Sequence, residues 1–186
     1  MTACEGALQR LVLASCGDPA AVGRLVAAAA PALASALQLP LRHPDAPEDA
    51  VACLGRLAPM PAAPSGCSTD VADSDHGRWL LALPVDPGLA LGAGGHWAES
   101  LGAWRLPVLL LLSPPHLACG WPAAADALLR RWHVPVAGLL QWGGSWDAAS
   151  RRRDGLPWLG RAEGPGEELE AALFRLQRRW HDLAGL

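Results

Sequence analysis

The sequence contains no lysine, no asparagine, no isoleucine and no tyrosine, and only one phenylalanine. These gaps close off chemistry. A Schiff-base lysine, a phosphate-gripping loop lysine, a tyrosine general acid and asparagine-dependent base reading are all excluded, because the side chains are missing. Arginine therefore supplies all 15 basic residues, and tryptophan, at 9 copies, carries most of the aromatic content. A genome rich in G and C favours Ala, Gly, Pro, Arg and Trp codons over those of the missing residues, so genomic composition and function are both open explanations of the skew. Excess charge is also lacking. The formal net charge of -3 gives no field that would gather nucleic acid or an anionic membrane surface, so neither is an expected partner. The five cysteines (Cys4, Cys16, Cys53, Cys67, Cys119) are odd in number and widely spaced in a chain too long to need stapling, and they read as reduced thiols. No targeting segment is visible. The chain ahead of the apolar run 11–14 carries Glu5, and that run is too short for a signal-peptide core. The longer apolar stretches, 20–39 (broken by Gly23, Arg24 and Pro31) and 106–112, do not read as membrane spans. A cytoplasmic protein is expected.

What is present supports folding. Hydrophobic residues make up 51% and charged residues 18%, which is enough apolar surface for one core over 186 residues and unlike a disordered chain. One domain, residues 1–186, is expected, with a Pro-rich loop at about 58–76. Residues 11–15 read as a strand ending in Cys16-Gly17-Asp18-Pro19, with Asp18 as N-cap and Pro19 opening an Ala/Leu-rich helix that Pro31 should kink or divide. After an irregular stretch at 40–47 comes a short helix over 48–57. Further strands are expected at 79–83, 107–112, 134–141 and 156–160, and helices at 96–104, 121–132 and 167–183. Continuous apolar strands alternating with helices predict an α/β fold, an open mostly parallel sheet with helices on both faces. Ligands in such folds bind at strand C-terminal ends, here 16–24, 84–95, 113–121 and 141–147.

At the first of those ends the chain reads GDPAAVGRL, residues 17–25, which resembles a worn form of the phosphate loop GTDTxVGKT of dethiobiotin synthetases; Gly17, Val22 and Gly23 match. Later segments resemble the same family in the same order: WLLAL at 79–83, HWAE at 96–99, LPVL at 106–109, PVAGLL at 135–140 and LPWLG at 156–160. The resemblance implies a P-loop NTPase-like three-layer sandwich, ATP and magnesium as cofactors, homodimerisation, and a place in biotin biosynthesis, where the family uses ATP to carboxylate a diamine and close a cyclic urea. It also implies that Gly17, Asp18, Val22, Gly23 and Arg24 form the cofactor-binding loop.

The departures fall on the chemistry. Arg24 stands where the family has the loop lysine, and Leu25 where it has the Ser/Thr that holds magnesium. Leucine cannot ligate a metal, and a planar guanidinium does not replace a compact ammonium. The EGAGG glutamate aligns near Leu83, leaving Asp86 as the nearby carboxylate; a literal GAGG at 92–95 comes too late and follows Leu91. The second family lysine has no counterpart beyond Arg42, and the adenine-reading asparagine none beyond Gln141. The expected function is therefore a degenerate, dethiobiotin synthetase-like pseudoenzyme that binds a nucleotide, a protein partner or a second copy of itself. The alternative is a divergent ATP-dependent carbon–nitrogen ligase in which Arg24 and Asp86 are catalytic and Asp86 holds magnesium. A further alternative makes Cys16, at a strand end before a helix, the nucleophile of a transferase or hydrolase.

Other clusters read more simply. His116, Cys119 and His133 lack a second close pair for a tetrahedral metal site. Asp70, Asp73, Asp75 and His76 read as solvated surface rather than a divalent-ion site, and Arg151, Arg152 and Arg153, beside Trp146 and Trp158, as a surface turn, with a grip on an anion or an acidic partner as the alternative. Most tryptophans should fill the core or an interface, although Trp142, Trp146 and Trp158 lie near strand ends where they would line a pocket.

Overall fold

The computed structural model describes residues 9–45, 47–57, 77–92 and 94–184. The Pro-rich loop, the acidic cluster of Asp70, Asp73, Asp75 and His76, and Cys4 and Cys67 lie outside them. The apolar runs form strands β1 (Arg10–Ser15), β3 (Trp79–Ala82), β4 (Val108–Leu112), β5 (Val136–Trp142) and β6 (Trp158–Ala162), joined by a two-residue β2 (Leu41–Arg42). They make one all-parallel open sheet in the order β2-β3-β1-β4-β5-β6. Parallel pairing requires crossovers, and helices supply them. These are α1 (Pro19–Leu37), α2 (Ala50–Leu57), α3 (Trp97–Ala103), α4 (Pro114–Leu117), α5 (Trp121–Arg131), α6 (Ala148–Arg153) and α7 (Glu167–Ala184).

Strand alternation sorts the core into two layers. On β1, Leu11 and Leu13 face α1 and α7, packing with Val22, Val26 and Leu33 of the one and Leu169, Leu173 and Leu176 of the other. Val12 and Ala14 face the opposite way, toward Cys53 and Leu54 of α2, Trp97 and Leu101 of α3 and Leu129 of α5. Helices therefore cover both faces, giving the three-layer, P-loop-like α/β sandwich. Every residue of β4 is fully buried, so this central strand is apolar throughout rather than alternating. By length and composition α1 would cross a bilayer, yet its Val22, Val26, Ala29, Ala30 and Leu33 stripe packs onto the sheet.

The structure corrects several expectations. Pro31 does not divide α1: it and Ala27, whose carbonyl loses its helical partner, both face solvent. The stretch 40–47 includes β2, an edge strand held by Leu80 donating to the Pro40 carbonyl. The run Arg151–Arg153 belongs to the short helix α6 rather than a turn, because Asp147 caps it by accepting from Ala149 and Ser150. The strand placed at 156–160 begins at Trp158 and continues to Ala162.

One close approach fixes the packing of α3. A Cβ built on Gly102 would lie 1.8 Å from the Trp132 carbonyl oxygen, so only glycine lets α3 meet the end of α5. Gly102→Ala is expected to lower stability by about 1–3 kcal/mol, measured as the shift in chemical-denaturation midpoint; an unchanged midpoint would mean that this contact yields without cost.

Candidate functional site

The connection from β1 to α1 is Cys16, Gly17 and Asp18 alone. Its tightness follows from three residues. Gly17 has φ +114°, a conformation open to glycine and strained for other residues. The Asp18 side chain accepts from the Ala21 N–H at 3.0 Å, and Pro19 supplies a preset first helical residue with no N–H to satisfy. The segment 17–25, read above as a phosphate loop, is thus helical from Pro19 onward. Val22 is fully buried, Gly23 and Arg24 lie within the helix, and Arg24 points to solvent without an ion pair among the described residues. Leu25 packs against the core.

The backbone N–H of Gly17 donates to Asp86 Oδ2 at 2.7 Å, and the other carboxylate oxygen accepts from the Gly88 N–H at 2.8 Å. Asp86, in the loop after β3, is thereby tied to the end of β1. Above Gly17 sits the indole of Trp121: a Cβ on Gly17 would fall 1.9 Å from the ring. Trp121 stacks in turn on His116, with centroids 5.4 Å apart and planes at 13°. The Nδ1 of His116 accepts from the Ser113 N–H at 3.1 Å, which fixes that nitrogen unprotonated.

Beside this cluster a cavity of about 370 Å³ opens between the ends of β1 and β3, the body of β4 and helix α5. Its walls are Leu110, Leu128, Leu129, Ala124, Ala125 and Pro87, with Cys16 and Asp86 as the polar side chains. Leu89, 46% exposed, and Trp121, 42% exposed, stand at its rim. Burial pushes the Cys16 thiol up to about 12, and the Asp86 carboxylate and Cys119 add to the rise. A thiolate is therefore disfavoured. Burial also holds His116 below the ordinary imidazole value, against an opposing pull from Asp86.

The remaining positions named from sequence do other work. Gln141, fully buried, donates through Nε2 to the carbonyls of Gly143 and Ser145, both at 2.8 Å, and so holds the loop after β5. Arg42 is exposed on β2, and Trp142 packs against the α1 and α7 layer. Trp146 and Trp158 do line a common cleft, at the far edge of the sheet. Among the described residues, no three His, Cys, Asp or Glu side chains are placed to share a metal ion. Trp121, the residue that closes over Gly17, lies at the last position of the strand-end segment 113–121 expected from sequence, but its contact with Gly17 is not foreseen there, since a tryptophan opening a helix reads as core filling.

Two outcomes check these environments. Iodoacetamide near neutral pH, followed by peptide mapping, should modify exposed Cys119 well ahead of Cys16 and Cys53, which are buried and held as thiols; rapid labelling of Cys16 in the folded protein would contradict this. Since folding lowers the proton affinity of His116, its contribution to stability is full above about 6.5 and is lost as pH falls below it. Denaturation at pH 7.5 and 5.5 should show a loss at the lower pH that shrinks in His116→Gln, whereas equal losses would assign the pH dependence elsewhere. No family model and no curated protein matches the chain.

Proposed function

We propose that this chain is a non-catalytic relative of the dethiobiotin synthetase-like P-loop ATPases that works by binding a protein partner at the rim of the cavity beside Gly17. The observation that carries the reading is the start of α1 at Pro19, which turns the phosphate loop of the resemblance into helix. A phosphate chain needs several free backbone N–H groups in an open loop. Here the Gly17 N–H is engaged by Asp86, the Ala21 N–H by Asp18, and the Trp121 ring lies where a phosphate would pass over Gly17. Leu25 offers no oxygen to magnesium, so the residues present do not fit MgATP. The partner is argued from the cavity itself: an apolar pocket with Leu89 and Trp121 exposed at its rim suits an inserted aliphatic or aromatic side chain. The first partner to measure is a second copy of the chain.

Calorimetric titration with MgATP, MgADP and inorganic phosphate separates this reading from the ATP-dependent ligase. No saturable heat up to millimolar concentrations is expected, with Arg24→Ala indistinguishable from the unaltered chain. Micromolar binding that Arg24→Ala removes would overturn the proposal and restore the ligase, for which a diamine and bicarbonate are then the substrates to try. Sedimentation of the unaltered chain and of Leu89→Asp tests the second copy; self-association lost in the variant places it at this rim.

A further inference from the structure

We propose that the cleft between α6, β6 and α7 is a binding site for a small organic anion with a flat apolar body. It lies at the opposite edge of the sheet from β2 and is separate from the Gly17 cavity, so neither reading rests on the other. The cleft measures about 720 Å³, within the range of small-molecule sites of about 300–1,000 Å³. One wall is aromatic and held in place before any ligand arrives. Trp158 donates through Nε1 to both Asp154 oxygens, at 3.0 and 2.9 Å, carries the Arg151 guanidinium 4.8 Å from its ring centroid, and meets Trp146 edge-to-face at 6.0 Å. A flat body would pack on the two indoles.

The other wall is positive. Arg151, Arg152, Arg161 and Arg175 all line the cleft, and Glu168 is the one carboxylate among the lining residues. Glu168 and Glu163 are both engaged by Arg161, while Asp154 accepts from Trp158 and the Leu156 N–H and stands 3.6 Å from Arg151. Arg152 and Arg175 have no ion pair among the described residues; each donates to a backbone carbonyl, Ala148 and Leu159 respectively. The Nε–H groups of Arg151 and Arg161 are buried without an acceptor, and the Arg151 side chain is only 13% exposed. The forks open to a ligand are those of Arg152 and Arg175, which line the cleft without an acidic partner among the described residues, and a carboxylate or phosphate suits such a fork. In a chain of net charge -3 this is a local excess of positive charge. An added peptide strand is a poorer occupant, because Arg175 already caps the Leu159 carbonyl on the edge strand β6.

Calorimetry with 2-naphthoate and 2-naphthyl phosphate tests the site, with neutral 2-naphthol and inorganic phosphate as controls. At least one of the two naphthyl anions should bind at submillimolar concentration, and whichever is tighter identifies the head group. 2-Naphthol and inorganic phosphate should each be weaker by about tenfold or more, and Arg152→Glu and Trp146→Ala should each weaken the anion by a similar factor. Arg152 is exposed and its side chain hydrogen-bonds the Ala148 carbonyl alone among the described residues, so its variant should keep the native circular dichroism spectrum. Arg24→Ala should leave binding unchanged, which separates this cleft from the Gly17 end. Absence of binding by both anions, naphthol binding as tightly as naphthoate, or retention of affinity in Arg152→Glu would each overturn the proposal.

Discussion

The hydrogen bond from the Gly17 N–H to the Asp86 carboxylate organises the C-terminal end of the sheet. It joins the turn after β1 to the loop after β3, two segments 69 residues apart. A charged acceptor makes such a bond stronger than a neutral one, and its partly buried setting raises its value further. With the turn pinned and Gly17 at positive φ, α1 starts as soon as β1 ends, and the absence of a Cβ at residue 17 gives the Trp121 ring its seat. Any other residue at 17 would strain the turn and collide with the indole together. Trp121 opens α5, whose residues form one wall of the cavity.

The same bond reverses the electrostatics that this architecture ordinarily offers. The start of a helix after a strand attracts anions, because unpaired N–H groups and the helix dipole point outward there. In this chain that end carries two carboxylates of its own, Asp18 and Asp86, each engaged with a backbone N–H. An arriving phosphate would meet like charge where the fold otherwise supplies the opposite. Arg24, the basic residue of the matched segment, sits on the solvent side of α1 and does not compensate. The cluster of cleft-lining arginines is instead beside β6, at the edge of the sheet.

Much of the fold was legible in the sequence. Leu11 to Ala14 and Val108 to Leu112 are continuous apolar runs, and a run without alternation fits a strand covered on both faces, which also gives the layer count. The Asp18-Pro19 cap was legible for the same local reason. What stayed hidden was non-local. The spacing of Gly17, Val22 and Gly23 fits a phosphate loop and a capped helix equally well, and the choice depends on contacts with Asp86 and Trp121: the strand-end rule puts these segments near Gly17, but not the hydrogen bond or the ring over it. The helix at Arg151 was masked by its own charge: a run of arginines reads as a solvated turn unless Asp147 is recognised as a cap and Trp158 as a surface on which Arg151 lies.

The missing residue types shape both sites. Without isoleucine and tyrosine, and with one phenylalanine, large apolar volume falls to leucine and tryptophan, and tryptophan brings an N–H that must be placed. In the cleft that N–H settles on Asp154, which locks the ring; in the core Trp97 donates to the Pro47 carbonyl at 2.7 Å, tying α3 to the segment before α2. Without lysine, every cation is a planar fork, which stacks on an indole or reaches a backbone carbonyl where an ammonium would stay hydrated. Arg151 over Trp158 and Arg175 on Leu159 use those two properties. The missing residue types thus show in the geometry: a guanidinium over an indole at one edge of the sheet, and a tryptophan closed over a glycine at the strand ends.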